Sequence, residues 1–410
     1  DEVEDPRPWC EIIRKWSTFH PEFSFLPRKF KIAVTGSNTD RAAIKFHDIG
    51  LKIVKYKNDI GFEVFVGGGQ GRSPYVAKQI NNFVKQKDLL NYLEAILSTY
   101  NELGRRDNIY KARIKILVHE LGIEKFKELV EINFLKFKDK RLSLDIEFIN
   151  KTKDFFKLPN LKIKEKSVSF PEDIDFNNWL MRNVVKHKIK GYSVVLISLK
   201  ENGKPPGDAT SNQMRKIATI SKEFSFSEIR VTHEQNLVLP HIENSKLSEV
   251  WGKLKESGLA TPNLGFISDT ICCPGMDYCA LATARSIPIS NKISKKYEGF
   301  NNQNDIGNLK IKISGCINAC GHHHVGNIGI LGLERNGQES YQLTLGGSAD
   351  ENASIGEILG PSFQEDKLMQ AIEKILIVYK ENRNNKNEDF LKVVKRIGIT
   401  PFKEGVYDNT

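Results

Sequence analysis

The chain reads as an α+β protein in which a strand module occurs twice and a strand–helix–strand half-module lies between the copies. Three observations predict this. One stretch repeats without gaps at a constant offset of 279 positions, bringing Ile32 onto Ile311. A block with β-branched runs on either side of an amphipathic helix precedes the second copy. Two close pairs of cysteines are confined to that second copy.

The repeat places Phe30-Lys31-Ile32-Ala33-Val34-Thr35-Gly36 over Leu309-Lys310-Ile311-Lys312-Ile313-Ser314-Gly315. Asp48-Ile49-Gly50 then falls on Asn327-Ile328-Gly329, and Phe62 to Gly68 falls on Tyr341 to Gly347. Each copy reads as a strand ending in Gly, a loop, a second strand opening on Ile-Gly, and a third alternating strand ending in Gly-Gly. Ser37 and Arg41 stand where the second copy has Cys316 and Cys320, so one metal centre is implied rather than two.

The half-module runs from Tyr192 to Leu239. Strands at Val194–Ile197 and Ile229–Thr232 flank a helix at Ser211–Phe224. At the same offset its counterpart would lie upstream of Asp1, so a further half-module is expected there. Elsewhere the pattern predicts a long helix over Val76–Leu103 and helices over Lys111–Leu121 and Ile123–Lys136. Two more are expected over Phe363–Tyr379 and Glu388–Arg396. The expected domains are a first module at 1–138, a linker at 139–170, the half-module at 171–255 and the cysteine-bearing module at 256–410.

At 410 residues the chain is long enough for two or three cores. No run of eighteen apolar residues exists, so no membrane span is expected. The start, Asp1-Glu2-Val3-Glu4-Asp5, has neither an initiator Met nor signal-peptide character, which suggests a cut or processed segment. Six cysteines are too few for a disulfide scaffold and fit a reducing, cytoplasmic compartment. The net charge of +10 is spread over amphipathic segments such as those around Lys125, Lys127 and Lys136. No basic stripe with interleaved aromatics marks a nucleic-acid interface. A polyanionic cofactor, an anionic substrate or an acidic electron donor would each suit the excess.

Cys273 and Cys279 form a C-x5-C pair, and Cys316 and Cys320 a C-x3-C pair. Four thiolates suit an iron–sulfur cubane, which takes one soft ligand per iron. Gly275, Gly315 and Gly321 would let backbone N–H groups approach the sulfurs. A structural zinc site and unliganded core cysteines are the alternatives; the C-x5-C spacing counts against zinc. Cys10 and Cys272 fall outside the pattern and read as buried or incidental.

The stretches Cys273-Pro-Gly-Met-Asp-Tyr-Cys279 and Ile313-Ser-Gly-Cys316-Ile-Asn-Ala-Cys320-Gly-His-His resemble the cluster signature of the sulfite/nitrite reductase haemoproteins. Leu26-Pro-Arg-Lys-Phe-Lys31, Val66-Gly-Gly-Gly69 and Thr232-His-Glu-Gln-Asn-Leu237 match further motifs of that family, and the likeness covers nearly the whole chain. It implies duplicated nitrite/sulfite reductase modules with a ferredoxin-like half-module, and as cofactors a 4Fe-4S cluster and sirohaem. Cys320 would ligate both the cluster and the sirohaem iron. Lys29 and Lys31 would be catalytic, holding and protonating the substrate anion. If their segment is extended they share one side while Arg28 faces the other; an ordinary basic strand edge is the bland alternative. Nitrite-reducing relatives tend to carry Asn at the second lysine, so Lys31 favours sulfite. Arg28, Arg72, Arg113, Lys115, Gln235 and Asn236 are candidates for holding sirohaem carboxylates. Gly67–Arg72 reads as a loop allowing close backbone approach to the haem, lacking the Lys-Ser/Thr of a P-loop. His322, His323 and His324 read as structural, because adjacent histidines cannot all face one ion. Two substrate-clamping arginines would lie upstream of Asp1.

The leading expectation is reduction of sulfite to sulfide with electrons from an acidic ferredoxin or a flavoprotein. Reduction of nitrite to ammonia is the second reading. A haem-free iron–sulfur electron-transfer protein is the third, and it leaves the repeat and the Leu26–Lys31 motif unexplained.

Overall fold

The computed structural model describes residues 2–137, 144–163 and 169–407. The backbone divides into two compact units, 1–158 with 349–353, and 159–348 with 354–410.

The first unit opens with α1 (Arg7–Ser17), which buries Trp9, Ile12 and Ile13. Four strands follow: β1 (Ile32–Thr35), β2 (Ile49–Tyr56), β3 (Asp59–Val66) and β4 (Lys78–Lys85). They lie side by side in chain order, with β1 parallel to β2 and the other pairs antiparallel. Helices α2 (Leu89–Leu103), α3 (Ile114–Leu121) and α4 (Ile123–Phe137) complete a core that includes Ile49, Leu51, Phe62, Leu93, Ile96 and Phe126. The helix expected over Val76–Leu103 is therefore a strand followed by a helix. The buried residues of β4, Ile80 and Val84, stand four apart, a spacing that suits one helical face and one strand face equally. The pairing with β3 decides the matter, and it carries an irregularity at Phe62–Phe65 that masks the alternation. Within the expected linker, Asp145 caps α5 (Ile146–Asp154), which adds Ile149 to the core. Within that linker, 139–143 and 164–168 lie outside the described residues.

The second unit begins with α6 (Ile174–Asn183) and an antiparallel sheet. Its elements are β5 (Val184–Lys186), β6 (Tyr192–Ile197), α7 (Ser211–Phe224), β7 (Arg230–Val231), β8 (Leu237–Glu243) and α8 (Leu247–Lys255). The strand order is β5-β6-β8-β7. α7 has the predicted bounds and a Thr210/Gln213 capping box. The strand expected at Ile229–Thr232 shrinks to two residues, because Thr232 N–H closes a turn onto Asn236 O at 2.9 Å and Gln235 takes φ +59°. The longer strand follows that turn.

The cysteine-bearing module contains β9 (Ile271–Cys272), α9 (Ile287–Lys296), α10 (Phe300–Ile306), β10 (Ile311–Ser314), β11 (Ile328–Arg335), β12 (Gln338–Leu345) and β13 (Glu357–Ile358). Helices α11 (Glu365–Asn382), α12 (Phe390–Ile397) and α13 (Thr400–Tyr407) close its core. β10 lies between β9 and β11 and runs parallel to both.

The duplication holds residue for residue. β1, β2 and β3 map onto β10, β11 and β12 with identical bounds at the sequence offset, and the Ile32–Ile49 register recurs as Ile311–Ile328. Left-handed residues recur as well: Ala43 (φ +50°) and His322 (+59°), Lys57 (+53°) and Asn336 (+54°), Gly67 (+80°) and Gly346 (+87°).

Candidate cofactor and anion site

In the second unit the cysteine loops leave the C-terminal ends of β9 and β10. Cys273 N–H donates to Ile313 O at 3.1 Å, locking the first loop to β10. The Sγ of Cys273 accepts from Gly315 N at 3.1 Å and lies 3.6 Å from Ser286 Oγ, which itself donates to Cys273 O at 2.6 Å. An N–H aimed at sulfur stabilises the thiolate, the form that binds metal.

The glycines here answer to steric demand. A Cβ on Gly321 would sit 1.7 Å from Ile313 O, and one on Gly315 would sit 2.6 Å from Ala284 O. Ala319 (φ +58°) and His322 (φ +59°) hold left-handed backbone in the second loop, a costly conformation for side chains with a Cβ. Cys273 and Cys316 are buried, Cys279 half-buried and Cys320 exposed, and all six cysteines are unbridged. Among the described residues no three His, Cys, Asp or Glu side chains converge on one ion. The soft donor set, the N–H on sulfur and the glycine cradle fit an iron–sulfur core. Cys10 is exposed rather than buried, whereas Cys272 is buried, with its thiol pushed up to about 12 by burial.

In the first unit Leu26–Lys31 is not part of a strand; β1 starts at Ile32. Lys29 and Lys31 are exposed on either side of Phe30, whose ring lies 5.5 Å from that of Tyr100. Arg28 does not take the face opposite Lys29. Both line one cavity of about 590 Å³ with Arg14, Trp16 and Phe23, and Lys31 does not. Without strand geometry the period-two alternation lapses around Arg28.

Arg113 immediately precedes α3 and grips the buried carboxylate of Asp48 with two N–H groups, at 2.6 and 3.0 Å. Asp48 Oδ2 also accepts the backbone N–H of Lys31 at 2.9 Å. Burial pushes the Asp48 carboxyl up and Arg113 opposes it. Lys115 is buried, donating to Gln70 O at 2.6 Å and Ser73 O at 2.7 Å, and burial lowers its ammonium to about 8. Arg113 and Lys115 thus shape the anion segment and the glycine loop. Arg72 is exposed.

The loop glycines meet packing demands within the chain: a Cβ on Gly68 would meet Lys45 O at 2.3 Å, and one on Gly69 would meet Lys115 Cδ at 3.0 Å. Both polar atoms of the Gln70 side chain are buried without a hydrogen-bond partner among the described residues, which leaves this loop a donor and an acceptor for a polar cofactor group.

Gln235 brackets the backbone of Cys272, donating to its O at 2.8 Å and accepting from its N at 3.0 Å. Asn236 accepts from Leu199 N and donates to Asp269. Gln235 thus holds β9, the strand that leads into Cys273, while Asn236 ties the segment after β6 to Asp269 ahead of β9. The rings of His323 and His324 lie 3.9 Å apart, tilted by 40°, and burial holds the His323 imidazole down at about 3. Asp48, Ser286 and Lys312 were missed by sequence reasoning. Only Asp48 left a signal, as the first residue of the repeated Asp/Asn-Ile-Gly landmark.

The profile of the nitrite and sulphite reductase 4Fe-4S domain matches residues 1–137 and 266–410, more than half of the chain, and that of the nitrite/sulfite reductase ferredoxin-like half domain matches 203–257. With the duplicated α+β scaffold and its cysteine loops, this defines an iron–sulfur protein. More particularly, the chain belongs to the nitrite and sulfite reductase family, whose cofactors are a 4Fe-4S cluster and sirohaem.

It is 26% identical over 400 residues to sulfite reductase (ferredoxin) 1 of Mycolicibacterium paratuberculosis, covering 94% of this chain and 65% of the relative. It is 25% identical over 392 residues to the chloroplastic ferredoxin–nitrite reductase of Arabidopsis thaliana, covering 92% and 61%. Among solved structures, that of the Mycobacterium tuberculosis NirA protein superposes with a TM-score of 0.75 at 24% identity, covering 98% of this chain and 69% of that one. The fold is therefore shared. The chain spans less than two thirds of the length of these two curated relatives.

Proposed function

We propose that the chain carries the cluster and part of the anion site of a sulfite reductase. It would reduce sulfite to sulfide with six electrons, taken singly from an acidic ferredoxin or a flavoprotein. The observation that carries this reading is the pinned Lys31: Asp48 holds its backbone at 2.9 Å, while its side chain and that of Lys29 remain exposed. Two ammonium groups on an anchored segment suit a doubly charged oxyanion, neutralising it and supplying protons as oxygen leaves as water. Cys273, Cys279, Cys316 and Cys320 would hold the cluster, and Cys320 would also ligate the sirohaem iron. When bound, these groups supply one-electron storage and a metal for the substrate. Arg28, Arg72 and the buried amide of Gln70 would offer donors to the carboxylates of sirohaem.

Nitrite is the second reading, supported by the similarity to a plant nitrite reductase. Among the described residues no helix is long and apolar enough to cross a membrane. The unbridged cysteines support a reducing, cytoplasmic setting.

The test is turnover of sulfite and of nitrite by the purified protein with a chemical one-electron reductant. A kcat/KM higher for sulfite, falling at least tenfold in Lys31→Asn, is expected. A preference for nitrite that survives the substitution would sink the sulfite assignment.

A further inference from the structure

The second copy of the module carries a lysine where the first carries an alanine. Ala33 lies on β1 beside a small apolar cluster of Ile44, Phe65 and Ala77. The equivalent positions in the second unit are Lys312, His323, Thr344 and Gly356. Lys312 is 2% exposed, His323 1% and Thr344 4%, so the change from apolar to polar happens inside the protein. Neither ring nitrogen of His323 nor Thr344 Oγ1 has a hydrogen-bond partner among the described residues.

Among the described residues Lys312 forms no ion pair with a carboxylate. Its charged neighbours are Lys310 just before β10, Glu234 in the turn before β8, Lys200 after β6 and Asp269 before β9. Asp269 is held by Lys200 Nζ at 2.5 Å and by Asn236 Nδ2 at 3.2 Å, and Glu234 is paired with Lys310. Three ammonium groups thus face two carboxylates, and the deepest of the three is left over. Burying an ammonium without a dedicated counter-ion is costly, so such a residue calls for negative charge nearby.

The strand geometry places that charge. Lys312 pairs with Ile271 on β9 and with Gly329 on β11. The next residue, Ile313, accepts the N–H of Cys273, and β10 runs on through Gly315, which donates to Cys273 Sγ, to Cys316. A 4Fe-4S core held by four thiolates is an anion in both states of its one-electron couple, and reduction adds one more negative charge.

We propose that Lys312 is the buried counter-charge of the cluster, a positioning residue that sets how readily this centre accepts an electron. This rests on the assignment of Cys273, Cys279, Cys316 and Cys320 as cluster ligands. A fixed cation in a medium of low dielectric stabilises the reduced, more negative state more than the oxidised one. The first copy has Ser37 and Arg41 in place of Cys316 and Cys320 and carries no such lysine.

The test is the cluster midpoint potential, measured by redox titration with spectroscopic detection on the full chain, with iron and acid-labile sulfide assayed on each sample. Lys312→Met is expected to keep its iron and shift the potential to more negative values, while Lys312→Arg stays near the parent. Should Lys312→Met lose the cluster, Lys312→Gln is measured in its place, with the same negative shift expected; loss of iron from both neutral variants while Lys312→Arg keeps it supports a required charge. An intact neutral variant at the parent potential, or loss of iron from Lys312→Arg as well, overturns the proposal. A parent preparation free of iron and sulfide overturns the ligand assignment, and the proposal with it.

Discussion

Asp48 and Asn327 make the same contact one duplication apart. Asp48 accepts the N–H of Lys31 at 2.9 Å, and Asn327 accepts that of Lys310 at 2.9 Å. In both copies this bond ties the segment entering the first strand to the start of the second. Only in the first copy is the acceptor a carboxylate, and there the guanidinium of Arg113 balances it.

Removing that carboxylate leaves Arg113 mostly buried and unpaired. Asp48→Ala is expected to destabilise the first unit by about 3 kcal/mol, since breaking a buried pair strands its partner. Asp48→Asn keeps the acceptor for Lys31 and loses less. Urea denaturation of the three proteins checks this, and equal midpoints for Asp48→Ala and the parent would refute it.

Gly321 and Gly252 offer opposite outcomes for the same change. At Gly321 a Cβ would lie 1.7 Å from a backbone oxygen, so Gly321→Ala is expected to break the second cysteine loop and abolish iron incorporation. Gly252 lies inside α8, and a Cβ added there would meet nothing within 4 Å. Gly252→Ala is expected to raise stability by roughly 0.5–1 kcal/mol by restricting the unfolded chain. Iron content and thermal midpoint, measured side by side, read both.

Gln235 holds Cys272 by two hydrogen bonds from a left-handed backbone. Gln235→Ala loses both and is expected to cost about 2 kcal/mol, at about 1 kcal/mol per bond. Denaturant unfolding gives the cost, and the rate at which a chelator strips iron should rise as β9 loosens. An unchanged stripping rate would mean that β9 does not depend on this side chain.

The half-module contains a histidine relay of defined tautomer. Ile189 N–H donates to His187 Nδ1 at 2.8 Å, so the His187 proton sits on Nε2, 3.2 Å from His241 Nδ1. His241 Nε2 then donates to Glu228 at 3.2 Å. Burial holds both imidazoles below their usual range. The unfolded chain therefore takes up protons below about pH 6.5 that the folded chain refuses. Stability is complete above that pH and falls as pH drops through it. Urea midpoints at pH 7.5 and 5.5 should differ, and His187→Gln should narrow the gap.

Much of the architecture was legible in the chain itself. An ungapped repeat preserves strand register, because a one-residue slip would turn every buried side chain of β2 or β11 outward. Cysteine spacing is equally local information, and it singled out the two loops at the ends of β9 and β10 without any tertiary knowledge. The bounds of α7 were readable because its Thr210/Gln213 capping box is local too.

Only the fold decided which charges are buried and what they face. Arg113 meets Asp48 across 65 positions, and Lys200 meets Asp269 across 69. On sequence alone Arg113 and Lys115 were indistinguishable from cofactor ligands, and Lys312 from a surface lysine. A charge takes its meaning from its dielectric surroundings and nearest counter-charge, and both are assembled by segments distant along the chain. β4 was misread for a related reason: four-residue spacing is ambiguous until a neighbouring strand supplies hydrogen bonds. Residue types and spacing determined the scaffold and the thiolate set of this protein; tertiary packing decided which polar groups shape the site and which stand ready to meet a ligand.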